Sequence, residues 1–260
     1  MKELHIIKIG GNVLKDELTL SRTISDIAQL KQPLLMVHGG GKHVDQWMQR
    51  IGAEVKMVDG RRITDAVSLE LAVMNYAGLI NKHLVALFES QNRLALGMSG
   101  ADLHCIRSVK RNHPTIDYGF VGDVVEINDE AFDWLIQKNI IPVCCAITAD
   151  RSGQLLNTNA DTIAAEIAIA MSKRYKVSLW YCFEKKGVLR NVADENSLVE
   201  KLDARLYAEM LAQNLIHTGM KPKLENCFNA LTKGVQQIFI TDSNGIKNIP
   251  HPSGTQITRS

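Results

Sequence analysis

Short, apolar, strand-like runs alternate with stretches of helical periodicity, and this alternation constrains the chain most. Leu4–Ile9, Leu34–His38, Leu94–Gly97, Ile140–Thr148, the run "KVSLWYCF" from Lys176 and "QIFI" near residue 238 read as strands. A shorter one is expected in "EVKMV" (Glu54–Val58), and further short strands with turns across 104–126. Helices are expected over Leu18–Leu30, up to Arg50, over Asp65–Gln91 with Thr64 as N-cap, and over Asp129–Lys138. Three more follow at Ala160–Met171, Asp203–Ile216 and Pro222–Val235. Strands that are apolar on both faces need cover on both sides, and crossover helices supply it. The expected fold is α/β: a three-layer sandwich whose mainly parallel central sheet carries helices on both faces.

Several functions are disfavoured at once. Among 260 residues, 30 Lys and Arg face 28 Asp and Glu, and aromatic residues make up only 5%. Neither a nucleic-acid surface nor a membrane is suggested by so even a balance. The five cysteines form no CxxC pair, and the eight histidines no metal spacing, so free thiols and no protein metal ligand are expected. No run reaches 18 apolar residues, and Lys8 interrupts the apolar N-terminal strand. A cytoplasmic protein is the expectation.

Lys8 lies inside "IIKIGG", on a strand that ends in Gly10 and Gly11. A buried ammonium costs several kcal/mol unless it meets an anion. Other glycine clusters follow strands at Gly39-Gly40-Gly41 and at Gly97 with Gly100. In open parallel sheets, ligands sit at the carboxyl ends of the strands, where bare N–H groups and helix N-termini suit phosphate. "GMKPK" places Lys221 and Lys223 beside Pro222 at a helix start, where cations are disfavoured without an anion. Lys42 stands in the same position after the triple glycine and reads as a solvated surface lysine. In "LNTNAD", Asn159 can cap the next helix, and Asp161 is a candidate clamp for the two lysines. Arg62, in the polar turn "GRRITD", can hold a carboxylate bidentately. Neither GxxxxGK[ST] nor GxGxxG is present, which sets a nicotinamide oxidoreductase low.

Taken in order, "IIKIGG", "MVHGGGKHVD", "GRRITD", "GMSGAD", "GFVGDVVEIN", "GQLLNTNADTIAAEIA", "GMKPK" and the terminal "GTQI" resemble the amino acid kinases over essentially the whole length. Within that family the similarity points to the branch that phosphorylates N-acylated glutamate. It implies a substrate lobe over about 1–173 and an ATP lobe over about 174–260. It also implies catalytic roles for Lys8, Lys223 and Asp161, and phosphate contacts from Gly10, Gly11 and Gly39. Gly40, Gly41, Arg62 and Asn157 match the substrate-binding residues. Glu184, Lys185, Lys186, Gly187, Val188 and Leu189, with Leu215, Ile216 and His217, fall where the family binds nucleotide. Mg2+ is expected to arrive with ATP, without a direct protein ligand. Two stretches depart from the family pattern: Phe183 and Glu184 replace the usual Thr-Asp or Ser-Asp, and "HTGM" replaces Asp-Gly-Met or Gly-Gly-Met.

Alternatives remain at this stage. One is the same reaction on another N-acylglutamate, such as N-succinyl-L-glutamate. Another is an aspartate, glutamate or carbamate kinase, and a third is a ligand sensor that has lost catalysis. Arginine-inhibited members of the family carry an N-terminal helix ahead of the first strand. Only Met1, Lys2 and Glu3 precede Leu4 here, so a homodimer indifferent to arginine is expected.

Overall fold

The computed structural model describes residues 1–58, 61–216, 219–249 and 253–259. The chain begins with β1 (Glu3–Ile9), α1 (Glu17–Ala28), β2 (Leu34–His38) and α2 (Gly41–Arg50). Two-residue strands β3 (Met57–Val58) and β4 (Arg61–Arg62) precede α3 (Ala66–Val73), α4 (Asn81–Glu89) and β5 (Ala95–Met98). A π-helix, Met74–Ile80, joins α3 to α4. Next come β6 (Ile106–Lys110), β7 (Val121–Ile127), α5 (Asp129–Gln137), β8 (Ile141–Cys145), β9 (Ile147–Ala149), β10 (Leu155–Thr158) and α6 (Ala160–Met171). The last third holds β11 (Lys176–Cys182), β12 (Lys201–Leu202), α7 (Ala204–Ala212), α8 (Lys221–Thr232), β13 (Gln237–Thr241), α9 (Ser243–Ile246) and β14 (Thr255–Ile257).

Eight strands form one sheet in the order β12-β14-β13-β11-β1-β2-β8-β5. Pairing is parallel from β5 across to β13, and β14 runs against β13. Helices α5, α6 and α8 cover one face, while α1, α4 and α9 cover the other. The expected three-layer α/β architecture is therefore the observed one. β1 lies in the interior of the sheet and is buried from Leu4 to Ile9, which is why it reads as continuously apolar rather than alternating. A second, closed set of strands, β10-β7-β6-β9, stands beside the main sheet. The main sheet passes through both expected lobes, because β11 pairs with β1 along their whole length.

Four local expectations change. Thr64 is not the cap of the long helix: its N–H and carbonyl pair with Tyr118 and Phe120, and Asp65 caps instead by accepting from the Ser68 N–H at 2.7 Å. Ile140–Thr148 is two strands rather than one. β8 belongs to the main sheet and β9 to the closed set, with the chain switching between them at Ala146. In "EVKMV" only Met57–Val58 pairs. α7 stops at Ala212, since Asn214 turns left-handed at φ 56°. The run Ala66–Ser90 is long and apolar enough to cross a bilayer by length and composition. Here its Leu71, Tyr76, Ile80, Leu84 and Phe88 are packed into the core.

Candidate active site

The carboxyl ends of β1 and β2 and the start of α6 meet in a cavity of about 250 Å³. Lys8, Gly10, Gly11, Gly39, Gly40, Gly41, Arg62, Asn157 and Asp161 all line it. Residues read separately from the sequence thus share one site. Gly97 and Gly100 do not line it. A Cβ on Gly97 would stand 1.9 Å from Asn81 Oδ1, and one on Gly100 2.5 Å from the Ile106 carbonyl. That third glycine cluster exists for close packing.

Asp161 is the centre. Its Oδ1 forms an ion pair with Lys8 Nζ at 2.8 Å, and its Oδ2 accepts a hydrogen bond from Lys223 Nζ, also at 2.8 Å. Asn159 caps α6 by accepting from the N–H groups of Asp161 and Thr162, which fixes the first turn carrying the carboxylate. Burial alone would raise the Asp161 pKa, but the two ammonium groups outweigh it and hold the carboxyl well below the usual carboxylate range. Burial lowers the Lys8 ammonium from its ordinary value; Asp161 opposes the fall and Lys223 adds to it. All three side chains are less than one-fifth exposed. Two cations share one carboxylate, so the cluster keeps a net positive charge.

Gly10 explains the glycine after the lysine strand. A Cβ there would lie 2.3 Å from Lys8 Nζ and push the ammonium off Asp161. Gly40 is needed for a similar reason, since its Cβ would meet Ile80 Cδ1 at 2.5 Å and the Tyr76 ring at 2.8 Å. Neither α2 nor α8 has a side-chain N-cap or an acid in its first turn. Their positive ends are left to whatever anion binds there.

Arg62 Nη2 donates to the Gly41 carbonyl at 3.3 Å and to Asp45, tying β4 to the first turn of α2. Asn157 Nδ2 donates to Thr64 Oγ1 at 3.0 Å. On the other side, Lys42 approaches Glu184 at 3.8 Å and Lys186 approaches Glu195 at 3.5 Å. Gly187, Val188 and Leu189 are buried, with the Val188 N–H donating to Thr255 Oγ1 at 2.8 Å. Lys185, Leu215 and Ile216 are half-buried. His217 lies outside the described residues. None of the segment Glu184–Leu189, nor Leu215 or Ile216, lines the 250 Å³ cavity.

Several site residues escaped sequence reasoning. Tyr76 and Arg111 line the cavity. Arg111 is held by Asp123, its Nε 3.1 Å from each carboxylate oxygen. Phe183 and Tyr181 place their rings 4.9 and 5.3 Å from Lys223 Nζ, and the Tyr181 hydroxyl donates to the Asp161 carbonyl at 3.0 Å. Phe183, a departure from the family pattern, thus packs against the second lysine. His38 Nδ1–H donates to the Gly39 carbonyl at 2.9 Å, and its Nε2 accepts from Asn81 Nδ2, which also donates to the Val143 carbonyl. The Gly39 carbonyl as acceptor and the Asn81 amide as donor fix the tautomer, and burial pulls His38 down to about 4. For His38 the one sequence signal was a polar residue closing an apolar strand directly before the triple glycine.

All five cysteines are free and buried, and burial raises Cys105, Cys145 and Cys182 to about 12, so none is poised as a nucleophile. Among the described residues no cluster of His, Cys, Asp or Glu could hold a metal ion.

Known proteins resemble this chain throughout. The amino acid kinase family model matches residues 3–242. An acetylglutamate kinase of Phocaeicola vulgatus is 45% identical over 260 residues, all of both chains. One of Parabacteroides distasonis is 44% identical over 95% of this chain and 96% of its own. The crystal structure of smu.665 from Streptococcus mutans UA159 superposes with a TM-score of 0.81 at 26% identity, covering all of both chains.

Proposed function

Because the chain belongs to the amino acid kinase family, we propose that it phosphorylates the γ-carboxylate of N-acetyl-L-glutamate with ATP, a step of arginine biosynthesis. The products are N-acetyl-L-glutamyl 5-phosphate and ADP. The observation that carries this reading is the buried Lys8–Asp161–Lys223 cluster, with its surplus positive charge at uncapped helix ends.

The reaction brings two anions together. A γ-carboxylate oxygen of the substrate attacks the γ-phosphorus; the new O–P bond forms as the bond to the β,γ-bridging oxygen breaks. No proton has to be removed from the nucleophile, so no general base is required. What remains is positioning and charge neutralisation. In this reading, Lys8 and the N–H groups of Gly11, Gly39, Gly40 and Gly41 face the transferring group and the acceptor carboxylate. The Gly10 N–H is already donated to the Cys182 carbonyl at 3.3 Å, so Gly10 acts by leaving room for the Lys8 ammonium rather than as a phosphate donor. Lys223 faces the phosphates from the nucleotide side, and Asp161 keeps both ammonium groups in register. Arg62 and Asn157 hold the acylated amino acid. Glu184–Leu189 with Leu215, Ile216 and His217 flank the nucleotide. Both Asp161 oxygens already face ammonium groups, which fits a Mg2+ ion carried by the phosphates rather than by the protein. When bound, the ion neutralises phosphate charge.

The protein is proposed to work in the cytoplasm as a homodimer. Supporting an interface on the substrate lobe, the edge strand β5 exposes Leu96 beside Leu94, and the long helical run exposes Val67, Met74 and Leu79.

ADP release and hydroxylamine trapping of the acyl phosphate test the reading. They should respond to N-acetylglutamate and not to aspartate, unmodified glutamate or carbamate. N-succinylglutamate belongs in the same panel, because a longer acyl group would need a cation and Arg111 lines the cavity. Turnover restricted to one of the other acceptors would overturn the assignment.

A further inference from the structure

Tyr76 belongs to the π-helical stretch between α3 and α4. Only 4% of it is exposed, yet it lines the cavity. Wide π turns inside helices often mark functional sites, because they re-aim side chains. Here the ring lies against the bare α-carbon of Gly40, two ring atoms being 2.8 and 2.9 Å from where a Cβ would stand. The ring therefore cannot tilt freely, and the hydroxyl is fixed beside the next glycine. A Cβ on Gly41 would stand 3.8 Å from Tyr76 Oη and 3.9 Å from Arg62 Nη2. Gly41 is thus the floor of a notch between a phenol and a guanidinium.

Buried tyrosine hydroxyls usually find a partner. Tyr181 donates to the Asp161 carbonyl and Tyr175 to Asp133. Among the described residues the Tyr76 hydroxyl has no hydrogen-bond partner. Burial raises its pKa to about 12, so at neutral pH it is a donor. Beside it stands the one side chain assigned to the substrate's carboxylate. Core packing alone explains the ring but not the hydroxyl, since phenylalanine would fill the same space.

We propose that Tyr76 is a substrate-binding residue whose hydroxyl donates to the carboxylate engaged by Arg62, within the notch floored by Gly41. This rests on the acylglutamate reading of the site. Tyr76→Phe keeps the ring on Gly40, so its melting temperature should match wild type. Its KM for N-acetylglutamate should rise at least about tenfold, the lower end for a lost hydrogen bond to a charged group. kcat and the KM for ATP should stay near wild type. Gly41→Ala adds a methyl that meets Tyr76 and Arg62 only at ordinary contact distance. It should fold normally and raise the same KM at least as much, by filling the notch. Wild-type protein active on N-acetylglutamate, with that KM unmoved by Tyr76→Phe, would overturn this inference alone; an unmoved KM in Gly41→Ala would place the carboxylate elsewhere and overturn it too. Wild-type protein that makes acyl phosphate from none of the acylglutamates would overturn the function and this inference together.

Discussion

The lysine–aspartate cluster and the segment Glu184–Leu189, proposed to flank the nucleotide, adjoin at Phe183, whose ring packs on Lys223, and are built on opposite principles. Lys8, Asp161 and Lys223 sit on a strand end and two helix starts, each less than one-fifth exposed. Their contacts join residues 153 and 62 positions apart in sequence, so the sheet and helices must be complete before the cluster exists. Glu184 and Lys186, by contrast, project from a turn and are about half exposed. The buried half of that turn, Gly187–Leu189, is held by packing on Thr255 and Leu198. Charge is structural in the first region and solvated in the second. Substitutions should therefore be felt in folding and catalysis in one, and barely in folding in the other.

Asp161→Asn should break this contrast most sharply. It leaves two buried ammonium groups without their shared partner, and breaking such pairs costs about 3–5 kcal/mol. Thermal or denaturant unfolding reads the loss. The folded-state pKa of Asp161 is depressed, so its contribution is present above the ordinary carboxylate range and lost as pH falls through the folded value. Acid unfolding of wild type should show a component below about pH 4 that the Asn variant lacks.

Lys8→Ala comes next. It relieves a desolvated cation and leaves Lys223 on Asp161, so the fold should persist. kcat should fall by about 10²–10³-fold, or 2.7–4 kcal/mol, as when a charge-stabilising group is deleted. A folded Lys8→Ala protein with near-normal kcat would remove the catalytic assignment.

His38 probes the glycine loop between the two regions. Its folded pKa is lowered to about 4, so between there and the ordinary value of about 6.5 the unfolded chain binds a proton that the native state refuses. Stability should drop by up to about 3 kcal/mol as pH falls across that window. Buried His5, also lowered, adds to the same slope. His38→Gln should flatten part of it in melting curves collected from pH 7 to 4.

Arg62→Lys keeps the charge but loses the planar fork. KM for the acylated glutamate should rise while KM for ATP holds. The reverse pattern would move Arg62 off the amino-acid side. The smallest effect is expected from Lys186→Ala, whose partner Glu195 is also exposed. Stability should change by less than about 0.5 kcal/mol, with any consequence confined to KM for ATP.

The layered fold, the central strand and its out-of-place lysine were legible in sequence, because they follow from local pattern: apolar runs, helical periodicity, and a cation where no water reaches. Asp161 was only half legible, since an acid in a capped first turn is favourable without any function. Phe183 read as a defect in a motif, and its place against Lys223 depends on β11 running beside β1. Arg111 carried no signal in the sequence; only the pairing of β6 with β7, and the Asp123 carboxylate that holds it, place it at the cavity wall.

By itself the sequence determined the three-layer sheet, its glycine-ended strands, and the presence of cations that require an anion. Only the tertiary structure decided that two of those cations share one carboxylate, that Gly97 and Gly100 serve packing, and that the Tyr76 hydroxyl and the Arg62 guanidinium stand on either side of Gly41. The physical reason is range. Periodicity and capping act over a few residues and leave a mark in every window of sequence. A 2.8 Å ion pair or a ring resting on a bare α-carbon is fixed by segments that meet only when the sheet closes around them.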